Sequence, residues 1–242
     1  MNNKNYKTEF HVHTRISKDS ILCFWILLLM LKIKKINTIA ITDHNEIKGA
    51  LKCKQIFKKY NIEVIVGEEI YTTKGEIIGL NLTKKIEKNL SPEQTIEEIE
   101  NQGGIIYIPH PYDEKRFKTV FEEKYIEKFR DRIHFIEVHN GRNILTKFGE
   151  KQNDIANKYN ITKICGSDAH TFFEIGRNYV ITDKQINSDN IMELKNKFIL
   201  KEKKCIKVSH TCTKIARIIK MIGKGEFYEI YRIINKRFER KK

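Results

Sequence analysis

The stretch FHVHTRISKD, residues 10–19, places two histidines one residue apart at the end of a short run of strand-forming residues. The segment KTEFHVH, residues 7–13, is predicted to be a β-strand. Side chains at positions i and i+2 of a strand point to the same face, so the imidazoles of His11 and His13 can reach one metal ion. Asp19, six residues after His13, adds a carboxylate. This pair is informative about the fold because the other predicted strands end in matching residues.

Six further segments, rich in β-branched residues, are predicted to be strands: 37–42, 62–69, 76–82, 104–110, 133–140 and 161–168. Helical patterns accompany them at 20–35, 45–60, 91–102, 117–131 and 146–159. Most of the strands are apolar on both faces, which is typical of parallel strands covered by helices. Seven strands with alternating helices indicate an α/β barrel or an open parallel sheet. The chain has neither a Gly-x-Gly-x-x-Gly fingerprint nor a Walker loop, which argues against a dinucleotide or ATP site.

Potential metal ligands lie where the predicted strands end, and six of the eight histidines are among them. Beyond the first strand these residues are Asp43, His44, Glu68, Glu69, His110, Glu137, His139, Asn140, Asp168 and His170. Parallel strand ends converge on one face of an α/β barrel. About four histidines and three carboxylates are more than one ion needs, and they suit two or three divalent ions bridged by a carboxylate and a hydroxide. Nitrogen and oxygen donors without thiolates suggest Zn, Mn or Fe. His134 and His210 lie elsewhere and are interpreted as structural.

The motifs FHVHTRIS, ITDHN, GEE, PHP, EVHNGR and GSDAH occur in this order, and with them the sequence resembles the PHP family (polymerase and histidinol phosphatase) from about residue 7 to about residue 180. The resemblance implies a distorted seven-stranded, TIM-like barrel and metal-dependent phosphoesterase activity with up to three ions. It implies a first ion at His11, His13, Glu69 and Asp168, a second shared by Glu69 and His110, and a third at Asp19, His44 and His170.

Three positions depart from the family pattern. Asp19 stands where trinuclear members have histidine, and a carboxylate there can still bind a divalent metal. Asn81 stands where some members have a histidine for the second ion, near the end of the fourth strand. His139 stands where tyrosine or asparagine is expected. Whether Asn81 and His139 take part in the site is left open.

The predicted reaction is hydrolysis of a phosphate monoester, from a small molecule or a nucleotide, by a hydroxide that bridges the metals. Arg142 and Arg177 are the candidates for bidentate phosphate contacts, with Arg15 a weaker third. Asp43 is interpreted as orienting a ligand histidine rather than binding metal. Two alternatives remain: an exonuclease-like phosphodiesterase on nucleic acid, and a non-catalytic metal-stabilised interaction or membrane-surface module.

The basic charge is concentrated in the C-terminal region, where residues 195–242 contain 16 Lys and Arg against 4 Glu. We predict a barrel domain at 1–186 and a basic helical extension at 187–242, with helices at 189–200, 211–222 and 226–240. A basic tail can bind nucleic acid or anionic membranes, although aromatic residues suited to base stacking are few. An apolar stripe of Ile215, Ile218, Ile219 and Ile222 is predicted to pack onto the barrel rather than to lie in a membrane interface.

The five cysteines form no C-x-x-C pair, which favours a reducing compartment over a disulfide framework. The run ILCFWILLLML, residues 21–31, has 11 apolar residues, whereas a transmembrane helix needs about 20. We interpret this run as a buried helix, one that could also cover a partner. The sequence therefore predicts a cytoplasmic protein without a transmembrane segment.

Overall fold

A computed structural model describes residues 5–113, 119–143, 147–205 and 207–228. Seven strands form a closed barrel because β1 pairs with both β2 and β7. These strands are β1 (Tyr6–Val12), β2 (Thr38–Ile41), β3 (Glu63–Thr72), β4 (Gly75–Leu80), β5 (Ile105–Ile108), β6 (Phe135–Asn140) and β7 (Thr162–Ala169). The predicted seven-stranded α/β barrel is confirmed.

The fourth strand differs from the expected all-parallel arrangement. β4 runs antiparallel to both β3 and β5. It follows β3 through a turn of only two residues, Thr73 and Lys74, and its first residue, Gly75, has a φ of +114°. So short a link permits a hairpin, whereas a parallel crossover needs a dozen or more residues. As a result the start of β4, where Glu76 pairs with Tyr71, lies at the barrel end that holds Glu69.

Five helices precede or follow the barrel strands: α1 (Phe24–Lys34), α2 (Lys48–Phe57), α3 (Pro92–Glu100), α4 (Glu123–Phe129) and α5 (Lys147–Lys158). The start of α3 is set by a capping box, in which Ser91 and Gln94 satisfy each other's backbone N–H groups. A large apolar cluster joins helix residues to the strands. A smaller cluster joins strand residues such as Phe10 and Tyr107 to Leu194.

The chain after β7 adds two strands to the sheet. β8 (Tyr179–Thr182) pairs antiparallel with β1, and β9 (Ile199–Lys201) pairs antiparallel with β8. The prediction of helices alone beyond residue 186 is therefore wrong. Where a helix was expected at 189–200, the chain forms α6 (Ile191–Leu194), a 3-10 turn and then β9, because the consecutive apolar residues 198–200 suit a short strand. The domain division at residue 186 stays a prediction, and most of the predicted helix at 226–240 lies outside the described residues.

The last described helix, α7 (Lys207–Gly223), lies at the barrel end but does not dock through its isoleucine stripe. Ile215, Ile219 and Ile222 are 52%, 61% and 50% exposed. The helix is held instead by Lys220 and Thr213, which contact loop carbonyls and Arg142. The expected apolar packing is wrong because the surface that faces the helix there is polar.

The predicted buried helix at 20–35 corresponds to α1, which has one buried and one exposed face. Leu27 and Leu31 are fully buried, whereas Trp25, Leu29 and Ile33 are about 60% exposed. Among the described residues, no helix is long and apolar enough to cross a bilayer.

Candidate metal centre

Histidines and carboxylates from separate strands meet at one end of the barrel. His11 and His13 come from β1 and its end, Glu69 from β3 and Asp168 from β7. The Nε2 atoms of His11 and His13 lie 3.3 Å from Oε1 and Oε2 of Glu69, and His13 Nε2 lies 3.4 Å from Asp168 Oδ1. Glu69 therefore presents one oxygen to each imidazole, as a bridging carboxylate would. His11, His13 and Asp168 form a group able to hold an ion.

A second group extends from the other side of Glu69. His110, just beyond β5, has its Nε2 3.1 Å from Glu69 Oε1 and 3.6 Å from Glu76 Oε2. Glu76 also lies 3.8 Å from His44 Nδ1. The sequence prediction missed Glu76. Its signal was the Thr73-Lys74-Gly75 turn, which predicts a hairpin and places residue 76 beside the third strand's ligands.

The third predicted group is also assembled, with Asp19 where a histidine was expected from the family pattern. The Asp19 carboxylate lies 3.3 Å from His170 Nε2 and 3.7 Å from His44 Nε2. The rings of His44 and His170 both lie against His13, with centroids 4.4 Å and 4.3 Å from it. All eight predicted ligands thus lie in one connected cluster.

The backbone at the cluster is strained. His11, His110 and Asp168 have φ values of +65°, +30° and +50°, a region that non-glycine residues rarely adopt. The register of β1 shifts against both neighbours at this point, so His11 is aimed by a bulge and not by simple strand alternation. Such strain is concentrated at functional sites, where the surrounding structure maintains it.

The donor set fits divalent cations. Three side-chain atoms, His11 Nε2, His13 Nε2 and Glu69 Oε2, are buried without a hydrogen-bond partner among the described residues. An unsatisfied buried polar atom costs about 1–3 kcal/mol, so three that converge on one another indicate a missing common partner. Imidazole nitrogens and carboxylate oxygens are ligands of Zn, Mn and Fe.

The protonation states of His13 and Glu69 suit metal binding. Burial lowers the pKa of His13 to about 3, and the neighbouring His170 and His44 imidazoles act in the same direction, which leaves its ring neutral. Burial opposes ionisation of Glu69, but the His11 and His44 imidazoles hold the pKa of its carboxyl well below the usual range. Neutral imidazoles and ionised carboxylates are the forms that bind metal. Burial opposes protonation of His11 and His44, but the Glu69 carboxylate raises the pKa of both imidazoles, so an ion bound there would displace their protons.

The match to known proteins agrees with this geometry. A family model of the PHP domain matches residues 9–232. The chain belongs to the PHP domain family. Two uncharacterised proteins of Methanocaldococcus jannaschii are similar in sequence. MJ0417 is 36% identical over 176 residues, which are 72% of this chain and 69% of that protein. MJ1587 is 46% identical over 118 residues, 44% of this chain and 68% of that protein.

One solved structure with this fold is a two-domain protein of Bacteroides vulgatus, described as containing a predicted PHP-like metal-dependent phosphoesterase. It superposes with a TM-score of 0.68 at 16% identity, covering 84% of this chain and 66% of that one. This chain thus spans slightly less than two thirds of the two-domain protein. At such low identity the likeness establishes the PHP barrel fold alone.

Outer residues of the PHP barrel fix the orientation of the ligands. Glu137 accepts a hydrogen bond from His11 Nδ1 at 3.0 Å and from the backbone N–H of His110 at 2.8 Å. Because an ionised carboxylate can only accept, His11 carries a hydrogen on Nδ1, which leaves Nε2 as the atom that would bind an ion in the cluster.

Asp43 acts through another side chain. It accepts hydrogen bonds from Thr14 and Ser17, and Ser17 Oγ lies 3.3 Å from His13 Nδ1. The geometry agrees with the interpretation of Asp43 as an orienting residue rather than a ligand.

Arg142, a predicted phosphate contact, is buried beside α7. It donates to Glu174 at 3.2 Å and to Thr213 at 3.1 Å, and its guanidinium contacts His210. Its role in binding phosphate stays a prediction.

The other two arginines lie in more open positions. Arg177 donates to the carbonyl of Lys204 at 2.9 Å. Arg15 is exposed and its carbonyl accepts from Lys220. Their suggested phosphate contacts stay predictions.

Four further polar residues have contacts outside the cluster. Asn81 lies at the far end of the reversed β4, where its amide donates to the carbonyl of Ser188. His139 contacts Lys203 and Glu202 at the rim. His134 accepts from the backbone N–H of Ile106, and His210 contacts Cys205.

Proposed function

We propose that this protein is a metal-dependent phosphoesterase that hydrolyses a phosphate monoester of a small molecule or nucleotide. The observation that carries the proposal is the convergence of His11, His13, Glu69 and Asp168, in which three buried donor atoms have no hydrogen-bond partner among the described residues. Two or three divalent ions, Zn, Mn or Fe, would be held there by the eight predicted ligands together with Glu76.

Bound divalent ions would supply Lewis acidity, which lowers the pKa of a water molecule and neutralises charge on the phosphoryl oxygens. The chain's own contribution is to fix the donors. Glu137 sets the tautomer of His11. Asp43 orients His13 through two successive hydrogen bonds, with Ser17 between them. Ligands held in one geometry before the substrate arrives need no reorganisation during the reaction.

The electrostatics of the cluster support a cationic occupant. Glu69, Asp168 and Glu76 are all buried, and Asp19 is partly buried beside them. Burial opposes ionisation of Asp19, yet the His170 and His44 imidazoles hold the pKa of its carboxyl well below the usual range. Several ionised carboxylates so close together are costly unless a cation compensates them.

The test is purification with elemental analysis, followed by assays on phosphate esters that include sugar phosphates, nucleotides and short oligonucleotides. We expect bound Zn, Mn or Fe and hydrolysis of at least one monoester. Release of nucleotides from oligonucleotides, with monoesters left intact, would favour the phosphodiesterase alternative.

Two variants test the site. His11→Ala and Asp168→Ala are expected to lose both metal and activity. His134→Ala is the matched control, because this histidine lies at the start of β6 and binds a backbone N–H instead of the cluster. A metal-replete protein that hydrolyses no ester, or a His11→Ala protein with full turnover, would overturn the proposal.

A further inference from the structure

A cavity of about 540 Å³ opens directly beside the candidate metal ligands. Its lining includes the candidate ligands Asp19, His44 and Glu76. It also includes one further carboxylate, Glu46, and five basic residues: Lys18, Lys85, Lys88, Arg217 and Lys224. Small-molecule sites typically occupy about 300–1,000 Å³, so the cavity has room for the part of a substrate that extends beyond a phosphoryl group at the metals.

The basic residues of this cavity carry more positive charge than the carboxylates of its lining can neutralise. Lys85 is paired with Glu87 at 3.2 Å. For Lys18, Lys88, Arg217 and Lys224, no carboxylate among the described residues lies within ion-pair distance. Cations gathered in a concave surface raise the local concentration of anions.

These basic residues come from different segments. Lys18 is in the loop after β1, Lys85 and Lys88 are in the loop after β4, and Arg217 and Lys224 are on and just after α7. Lysines that only keep a surface solvated have no reason to gather in one place, since repulsion between like charges favours their separation. Their position around one cavity therefore calls for a ligand.

The position of α7 is fixed by Lys220, which lies between Arg217 and Lys224, the two residues of this segment that line the cavity. Lys220 donates to the carbonyls of Arg15, Ser17 and Ser20 at 3.0, 2.7 and 2.6 Å. Residues 217, 220, 221 and 224 follow the i, i+3, i+4, i+7 spacing of one helix face. The face that carries Arg217 and Lys224 is therefore held against the loop that contains Asp19.

We propose that this cavity binds a second anionic group of the substrate, so that the preferred substrates are phosphate esters that also carry a phosphate or carboxylate. Arg217 and Lys224 are the specificity-determining residues, and Lys18 and Lys88 belong to the same lining. The inference rests on the proposed phosphoesterase function. It assigns the basic C-terminal helix to substrate selection in the same molecule.

The test measures equilibrium binding of non-hydrolysable probes to the metal-loaded protein by calorimetry. The probes are alkyl monophosphonates, ω-carboxyalkyl phosphonates and alkane diphosphonates with matched chains of three to six carbons. A charge-assisted hydrogen bond contributes about 1.5–3 kcal/mol, so at the best length a second anionic group is expected to tighten binding at least about tenfold. Comparing the carboxylate and diphosphonate series shows which anion the cavity selects.

Arg217→Met and Lys224→Met are each expected to reduce this preference for the second anionic group. Lys214→Met is the matched control, since this lysine is on α7 but outside the cavity lining. Equal binding of monophosphonates and doubly anionic probes at every length would overturn the inference, as would variants that keep the full preference. If either of these results is obtained with a protein that hydrolyses monoesters, the proposed function stands and only the second-anion subsite fails. If no ester is hydrolysed, the proposed function fails first.

Discussion

Glu137→Gln is the sharpest test of how the barrel prepares its ligands. The carboxylate accepts four hydrogen bonds: from His11 Nδ1 at 3.0 Å, Tyr107 Oη at 2.5 Å, the His110 backbone N–H at 2.8 Å and Asn140 Nδ2 at 2.8 Å. Glutamine has the same shape but replaces one acceptor oxygen with a donor. In either orientation of the amide, its NH₂ group would therefore face two groups that also donate hydrogen bonds.

The two orientations have different consequences. With the NH₂ toward His11, the imidazole loses its partner or moves its hydrogen to Nε2, where it blocks metal binding. With the NH₂ toward His110, it faces that backbone N–H and the amide of Asn140. Asn140 cannot flip without loss, because its Oδ1 already accepts from Arg142 N at 2.9 Å.

Loss of an outer hydrogen-bond partner typically lowers metal affinity about 10–100-fold, or about 1.4–2.8 kcal/mol. We expect this range for Glu137→Gln, measured by competition with a chromophoric zinc chelator and checked by elemental analysis. The matched control is Glu9→Gln, another buried glutamate, on β1. Burial raises the pKa of Glu9 to about 8, so its carboxyl is neutral at pH 7 and glutamine imitates it. A folded Glu137→Gln protein with wild-type zinc affinity would refute the reasoning.

Three further variants test separate parts of the structure. Gly166→Ala is expected to weaken zinc binding as Glu137→Gln does, because a Cβ there would lie 1.8 Å from Glu137 Oε1; unchanged chelator competition would contradict it. Ser91→Ala removes the cap that accepts from Gln94 N and is expected to lower the free energy of unfolding by about 1 kcal/mol, measured in urea with metal content unchanged. Lys220→Met is expected to speed amide hydrogen exchange in α7 while the barrel strands stay protected; equal protection would show that other contacts hold the helix.

Much of the site could be predicted from sequence because its determinants are local. A predicted strand such as 161–168 corresponds closely to β7, Thr162–Ala169, and its last predicted residue, Asp168, is a candidate ligand. In a barrel of mostly parallel strands, residues that follow successive strands share one end, so sequence position translates directly into spatial position. This held for His11, His110 and Asp168 even though their backbones are strained in ways that no residue pattern indicated.

The reversed fourth strand shows where this translation fails. The segment 76–82 has the composition of a buried strand in either direction, and only the length of the preceding connection distinguishes a hairpin from a crossover. The family pattern pointed to Asn81, near the end of this strand, as a residue that could belong to the site, and Glu76 was not considered. The structure places Glu76 at the site and Asn81 at the far end.

The C-terminal helix presents a different limit. Its period predicted a helix, but a hydrophobic stripe predicts docking only when the partner surface is apolar. At this end of the barrel the partner is a loop whose backbone carbonyls accept from Lys220, so Lys220 docks while Ile215 and Ile219 stay exposed. That orientation turns Arg217 toward the cavity. The candidate metal ligands could therefore be predicted from the residues at the strand ends. The residues proposed to select the substrate can be identified only when the position of the helix is known.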